Sequence, residues 1–336
     1  MSFVGYKPLI EEGDEVIVYI HYGLTYALVA ERGRVFQTKF GALRHDFMIG
    51  QPYGSRIGCT KGYVHVLHPT PELWTANLTH RTQILYPGDI SLILLELSLQ
   101  PGSVVVEAGT GSGSLTHALI RTIAPSGHVY TFDFHQQRVD QARQDFERHG
   151  CAQFVTVDHA DVCTDGFPAD LCGRADAVFL DIPKPYAAIG HAKRTLKPDQ
   201  ETRICCFSPC IEQVQSTAAV LRAEGFCEID TVECLFFSLK AQYTTIQPLD
   251  ERAKRPGPPG ASPKQKKPKL TEGETLSETV DSLDQPTTKQ TFVGVTKCPV
   301  KQPSHTGYLT FATLPPKYEE PSGSTENDSL VSGQDS

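Results

Sequence analysis

Residues 104–116 read VVVEAGTGSGSLT: an apolar β-branched run, an acid, a glycine-dense turn and the start of a helical pattern. Val104, Val105 and Val106 in succession suit a strand buried on both faces of a parallel sheet. Gly109, Gly111 and Gly113 permit the tight turn that follows and let backbone approach a ligand closely. The spacing is G-x-G-x-G, with Ser114 where a dinucleotide fingerprint has its third glycine. Glu107 stands two residues before the first glycine. A carboxylate there attracts a cationic amino group and repels a pyrophosphate. The pattern therefore points to S-adenosylmethionine (SAM) rather than NAD. The competing reading is a strand-to-helix turn without a ligand, since glycine turns are common punctuation.

Outward from this turn, strands and helices alternate. Strand patterns fall at 103–107, 128–133, 153–158, 176–181 and 202–207. The helical pattern at 135–149 places Val139, Ala142 and Phe146 on one face and ends at Gly150. That at 211–224 places Ile211, Val214, Ala218 and Leu221 on one face and ends at Gly225. A further helix opens at Gly88-Asp89, with Asp89 as its N-cap, and closes at Pro101-Gly102. Such alternation predicts an α/β, Rossmann-like fold with a mostly parallel sheet covered on both sides. Residues 226–246 read as one or two strands at the sheet edge. Short alternating runs split by glycine over 13–67 predict a small antiparallel β-domain. The expected organisation is an N-terminal β-domain (1–67), a SAM-binding domain (68–246), a disordered basic linker (247–304), a strand returning to the sheet (305–313) and a disordered tail (314–336). The linker is assigned on its polar composition, which buries too little apolar surface to order itself.

The net charge is −8, and residues 1–246 carry 20 Lys and Arg against 27 Asp and Glu. Phosphate contacts usually supply much of nucleic-acid affinity, so an acidic body argues against a self-sufficient RNA binder. It leaves room for a partner that provides basic surface. Residues 252–269, RAKRPGPPGASPKQKKPK, hold seven Lys and Arg and no acid. They read as a nuclear-import signal or a phosphate-binding tether, with a solvated linker as the plain alternative. The ten cysteines include no C-x-x-C pair, so a structural zinc is not expected. Thiols set in apolar patterns suit a reducing compartment. No apolar run approaches the ~18 residues of a membrane span, and the first residues lack the pattern of a secretory leader.

In an open parallel sheet the ligand lies beyond the carboxyl ends of the strands. Four strand patterns end in or near an acid there: Glu107, Asp133, Asp161 and Asp181. Asp133 follows Gly113 by 20 residues, the distance that sets an acid on ribose hydroxyls. Capping the next helix is its simpler alternative. Asp161 suits an adenine amino group or a turn. Arg138, one turn into the following helix, either orients these acids or is merely exposed. Asp181 sits in FLDIPKPY, 179–186, where Pro183 and Pro185 stiffen the loop that carries it. Tyr186 and the proline rings offer apolar surface on which a base could rest.

These motifs together resemble one family. EAGTGSGS (107–114), FDFHQQR (132–138), ADVC (160–163), FLDIPKPY (179–186), HPTPELW (68–74) and HRTQILY (80–86) resemble the SAM-dependent tRNA (adenine-58-N1) methyltransferases. MSFVGY (1–6), FSPCIEQVQ (207–215) and HTGYLTFAT (305–313) are similar to the catalytic subunit of the eukaryotic members. The resemblance implies a class I methyltransferase fold behind a small β-domain. It implies methyl transfer from SAM to N1 of adenine-58 in the tRNA T-loop, leaving S-adenosyl-L-homocysteine, with no metal. It also implies two catalytic and two non-catalytic, paralogous RNA-binding subunits, and with the basic run 252–269 the expected place is the nucleus and not a membrane. By position, Ser112, Gly113 and Ser114 line the methionine end of SAM beside Leu85. Asp133 takes the ribose with Arg138 behind it, Asp161 and Val162 hold the adenine edge, and Asp181 faces the target base. Glu107, Gly109, Gly111 and Asp181 itself complete the cofactor set. The family more usually has glutamate where Asp133 stands, and its motifs do not cover 247–304. The rival readings are a non-catalytic RNA-binding scaffold and an NAD-dependent oxidoreductase. The intact glycine turn and fourth-strand acid disfavour the first; the missing third glycine disfavours the second.

Overall fold

The computed structural model describes residues 3, 5–78, 85–235, 240–246, 291–297 and 307–317. The alternating runs before residue 68 build one antiparallel sheet. Its strands are β1 (Glu15–His21), β2 (Leu24–Val29), β3 (Val35–Thr38), β4 (Gly41–Arg44), β5 (Arg56–Cys59) and β6 (Gly62–Leu67), in the order β2-β1-β6-β5-β4-β3. Residues two apart share a face, so Val16 and Val18 of β1 and Val64 and Val66 of β6 pack inward on Ile10, Leu43, Met48 and Ile57. Glu15, at the start of β1, is buried as well.

Two helices lead into the second sheet. Thr70 caps α1 (Pro71–Asn77): its Oγ1 accepts from the Leu73 amide at 3.3 Å, and Pro71 occupies the first turn. Helix α2 (Pro87–Glu96) begins earlier than its sequence pattern suggests. Proline pre-sets helical φ, so Asp89 falls in the first turn instead of at the N-cap and accepts from the Tyr86 amide at 3.4 Å. Residues 79–84, which include the first five of the HRTQILY motif, lie outside the described residues.

The second sheet follows the expected alternation. In chain order come β7 (Val104–Ala108), α3 (Ser114–Ile123), β8 (His128–Asp133), α4 (Gln136–Arg148), β9 (Val155–His159), β10 (Ala177–Leu180), α5 (Pro185–Thr195), β11 (Thr202–Ser208), α6 (Ile211–Ala223) and β12 (Cys227–Val232). Two further strands, β13 (Lys240–Ile246) and β14 (Thr291–Lys297), precede the last, β15 (Tyr308–Leu314). The sheet runs β12-β15-β11-β10-β7-β8-β9. Strands β9, β8, β7, β10 and β11 are parallel, and β15 enters antiparallel between β11 and β12. Both faces are buried. Val105, Phe179, Cys205 and Phe311 meet α2 and α3, while Val106, Leu180, Cys206 and Ala312 meet α5 and α6. Truncating a fully buried ring such as Phe179 in such a core costs about 3–5 kcal/mol.

Two expectations are corrected. Residues 240–246 do not extend the main sheet; β13 pairs with β14, from Lys240↔Lys297 to Ile246↔Thr291, in a separate unit spanning Phe236–Ser304. Alternation marks a strand but does not name its partner, and this partner is far along the chain. The linker expected to be disordered over 247–304 therefore contains a strand, where TFVGVTK alternates inside a polar stretch. The remainder of that linker, including 252–269, and the tail beyond 317 lie outside the described residues.

The chain departs from β7 to β8 and β9 on one side and has β10 and β11 on the other. The crevice of such a sheet opens where the direction reverses, past the carboxyl ends of β7 and β10. The register sets Ala108 opposite Leu180, so Gly109 and Asp181 emerge side by side.

Candidate functional site

The glycine turn is held by its backbone. The amides of Gly109 and Thr110 both donate to the Phe132 carbonyl, at 2.8 and 3.2 Å, and tie the turn to β8. Gly109 has φ +100°, and a Cβ built there would lie 2.1 Å from the Asp181 carbonyl oxygen. Only glycine allows this approach. Asp181 in turn donates its amide to the Ala108 carbonyl at 2.8 Å. The first glycine and the fourth-strand acid are thus locked together by main chain alone.

Glu107 follows Val105 in parity and points to α3, where Thr116 Oγ1 donates to its Oε2 at 2.7 Å. It is 1 % exposed. Burial pushes its pKa up to about 7 against the pull of hydrogen bonds from Thr131 and Thr116, and the charges of Asp181 and Asp133 add to the rise. Asp181, half-buried, is pushed up to about 6 by burial and by Asp133. No protein hydrogen bond reaches the Asp181 carboxylate among the described residues. One pocket is lined by Leu85, Glu107, Gly109, Gly111, Ser112, Ser114 and Asp181, together with Thr110, Leu115 and Phe179. Ser114 also shares a 2.8 Å hydrogen bond with Thr75 of α1.

The other predicted residues are not among those that line this pocket. Asp133 is buried under the turn with both oxygens engaged: Oδ2 accepts from the Gly111 amide at 2.9 Å and Oδ1 from the His135 amide at 2.9 Å. It braces the turn, and each carboxylate oxygen retains a second lone pair. Arg138 reaches Asp133 only at 3.8 Å and is 44 % exposed. It lines an adjoining cleft with Gly111, Ser112 and Gln137. Gly113, at φ +73°, caps α3 and backs onto Phe146. Asp161 is drawn to the same rim, because the Ala160 amide donates to the Asp133 carbonyl at 3.2 Å. Its carboxylate serves its own turn, accepting from the Cys163 amide at 3.1 Å and Thr164 Oγ1 at 2.9 Å. Val162 is buried against the α5 side of the sheet.

Tyr186 is not brought to the pocket. It packs on the α5–α6 side and lines a groove with His191 and Lys193, because Pro185 starts α5 and turns the following residue away. Several contributing residues were missed in the sequence. Thr116 and Thr131 satisfy Glu107 from other elements. Gln213 accepts from the Cys210 amide at 3.2 Å and donates to the Pro183 carbonyl at 3.0 Å, bracing the loop behind Asp181. The capping pattern C-x-x-Q was its only signal.

Chemically, this is a crevice with two carboxylates whose pKa values burial and neighbouring acids push up, beneath a turn that approaches closely. The donor set and the cradle at Gly109 fit SAM, whose amino group and sulfonium are both positive. Cation binding needs ionised carboxylates, so SAM affinity is expected to fall with pH. Between about pH 7.5 and about pH 6 it drops roughly five- to tenfold as Glu107 takes up its proton. Calorimetric titration of SAM across that range checks this, and Glu107→Gln should flatten the profile while weakening binding.

A family model described as tRNA methyltransferase complex GCD14 subunit matches residues 62–314. A curated relative from Candida albicans, tRNA (adenine(58)-N(1))-methyltransferase catalytic subunit TRM61, is 39% identical over 335 residues, covering 94% of this chain and 100% of the relative. The catalytic subunit trmt61a of Dictyostelium discoideum is 44% identical over 249 residues, 73% of this chain and 78% of its own. Among solved structures, a SAM-dependent O-methyltransferase from Thermotoga maritima superposes with a TM-score of 0.69 at 23% identity, covering 93% of this chain and 97% of that one. The tRNA (m1A58) methyltransferase TrmI from Aquifex aeolicus superposes with 0.64 at 21% identity, covering 91% and 98%. At these identities the two structures speak to the fold, which is that of the SAM-dependent methyltransferases with a small N-terminal β-domain.

Proposed function

This chain belongs to the tRNA methyltransferase complex GCD14 subunit family, and we propose from that premise that it is the catalytic subunit that methylates N1 of adenine-58 in tRNA with SAM. The observation that carries the reading is Asp181: a half-buried carboxylate with no protein hydrogen bond among the described residues, at the edge of a pocket walled by Glu107 and the glycine turn. A non-catalytic scaffold would have no use for such a group, since an unpaired acid in a crevice costs stability.

Glu107 and the turn amides would hold the methionine end of SAM, with Leu85, Ser112, Gly113 and Ser114 around it. Asp133, Arg138, Asp161 and Val162 would take the nucleoside end. SAM supplies, when bound, an electrophilic methyl carbon that the N1 lone pair takes while the C–S pair leaves on sulfur. The chain does the rest. It must receive an unpaired adenine, because N1 is engaged when the T-loop is folded. Asp181 then faces a base that is turning cationic, and its negative charge stabilises that change more than the neutral ground state. The same carboxylate accepts a hydrogen bond from the exocyclic amino group and can hold its proton. Backbone locking of Asp181 to Gly109 keeps acid and cofactor turn in fixed relation, which supports an in-line approach.

The acidic charge of residues 1–246 supports a partner that carries basic surface. We assign that role to a non-catalytic paralogous subunit in a two-plus-two assembly, and place the enzyme in the nucleus on the basic run 252–269. The test is methyl incorporation from labelled SAM into tRNA carrying adenine or guanine at position 58, by the chain alone and with that partner. Transfer that needs both the adenine and the partner is expected. Equal activity of the lone chain would remove the partner, and transfer to the guanine tRNA would remove the target.

A further inference from the structure

Behind the cofactor turn runs a buried polar chain that the mechanism does not use. His117 Nδ1 lies 2.6 Å from the Gly113 carbonyl oxygen, His117 Nε2 lies 2.8 Å from His149 Nδ1, and His149 Nε2 lies 3.0 Å from Glu15 Oε2. His117 and His149 are 1 % and 0 % exposed. Phe3, Trp74 and Phe146 close around them, with ring centroids 4.2 to 5.2 Å from one or both histidines. The chain thus joins three elements far apart in sequence: β1 of the N-terminal sheet, the end of α4, and the turn that opens α3.

Its protons can be assigned by donor and acceptor alone. A carbonyl only accepts, so His117 must carry its proton on Nδ1. Its Nε2 then accepts if the ring is neutral, and burial with the neighbouring His149 pushes the His117 pKa down to about 3. His149 must therefore donate from Nδ1. Its Nε2 faces Glu15 Oε2, and Arg148 Nε lies 3.6 Å from the same Glu15 oxygen. His149 thus bridges the two, with one ring nitrogen on His117 and the other on Glu15. Asp145, beside Arg148 at 2.8 Å, adds a second negative charge on this side. At the far end the Gly113 carbonyl accepts twice from one residue, from His117 Nδ1 and from the His117 amide at 3.1 Å. Gly113 stands at φ +73°, which glycine adopts freely, so it is these two hydrogen bonds, and not the residue's own preference, that fix where its carbonyl points.

We propose that His117 is a positioning residue for the cofactor turn, clamping Gly113 and coupling SAM affinity to the seating of the N-terminal β-domain through His149 and Glu15. This rests on the SAM-binding reading above. The clamp acts on the turn before chemistry, so its loss weakens SAM binding and spares the step at saturating SAM.

The test uses the full chain with the partner its activity requires, and reads SAM dissociation by calorimetry together with kcat and KM for SAM. His117→Phe keeps a ring and removes the polar atoms; it should raise both Kd and KM for SAM about tenfold with kcat little changed. His117→Asn, whose amide can still donate to Gly113, should recover most of that loss. Glu15→Gln should weaken SAM binding too, though it lies in the other domain. A folded His117→Phe with unaltered SAM affinity overturns the proposal, as does a fall in kcat with KM unchanged, the mark of a merely structural residue. Should His117→Phe not fold, His117→Asn and Glu15→Gln decide: normal SAM affinity in Glu15→Gln, or failure of His117→Asn to bind better than His117→Ala, overturns it. Absence of SAM binding by the unaltered chain overturns instead the reading on which this rests.

Discussion

Asp181→Ala is expected to lower methyl transfer to tRNA by about 10³-fold while the chain still folds and binds SAM. The separation follows from how the residue is held. Its amide bonds Ala108 and its carbonyl abuts Gly109, both through main chain, so alanine keeps the loop in place. What disappears is the carboxylate, and with it the charge proposed to offset a cationic base. Asp181→Asn sharpens the test, since it keeps shape and hydrogen bonding but not charge. If the charge matters most, Asn falls nearly as far as Ala; if only the hydrogen bond matters, Asn retains most of the rate. Single-turnover methylation with saturating SAM measures this directly, and a normal rate in Asp181→Ala would remove Asp181 from catalysis.

Gly109→Ala should do the opposite: one methyl group, no change of charge, and loss of the cofactor. The added carbon would sit 2.1 Å from the Asp181 carbonyl oxygen and 3.0 Å from its carbon, at a φ of +100° that side chains rarely adopt. Neither neighbour is a flexible side-chain end that could swing away. The ends of β7 and β10 must part, at a cost of about 2–4 kcal/mol in stability, measurable by thermal or urea unfolding. SAM binding should become undetectable by calorimetry. A Gly109→Ala chain with ordinary stability and ordinary SAM affinity would show that the close approach of the two strands is dispensable.

The parts of this molecule legible in its sequence were those written locally. The VVVEAGTGSGS stretch carries strand, turn and helix start within a dozen residues, and each part obeys a short-range rule. HTGYLTFAT was legible because its alternation stands out against a polar background. TFVGVTK, with the same alternation, was hidden by averaging over the composition around it. Asp133 shows where local reading stops. Its distance from the glycines is visible, but that its oxygens face the Gly111 and His135 amides depends on how the turn closes. Asp161 could be assigned to a strand end, yet nothing in ADVC tells that its oxygens are engaged by Cys163 and Thr164. Tyr186 was misread for a related reason, since Pro185 decides the direction in which α5 sets off. Least legible was the line from Glu15 to His149 to His117, three polar residues in apolar or unremarkable contexts. Only the fold brings them together, and only counting donors gives the line its sense.

The insertion of β15 between β11 and β12 has a consequence for what this enzyme can tolerate. Val232 and Leu309 are cross-strand partners, so the intervening stretch starts and finishes on neighbouring rungs of one ladder. A detour whose two roots are already stapled together asks almost nothing of the body it leaves; each doubling of its length adds only about 0.6 kcal/mol of closure cost. The main sheet thereby acquires a port, where material can be spliced in, shortened or exchanged with the rungs of β12 and β15 left as they are.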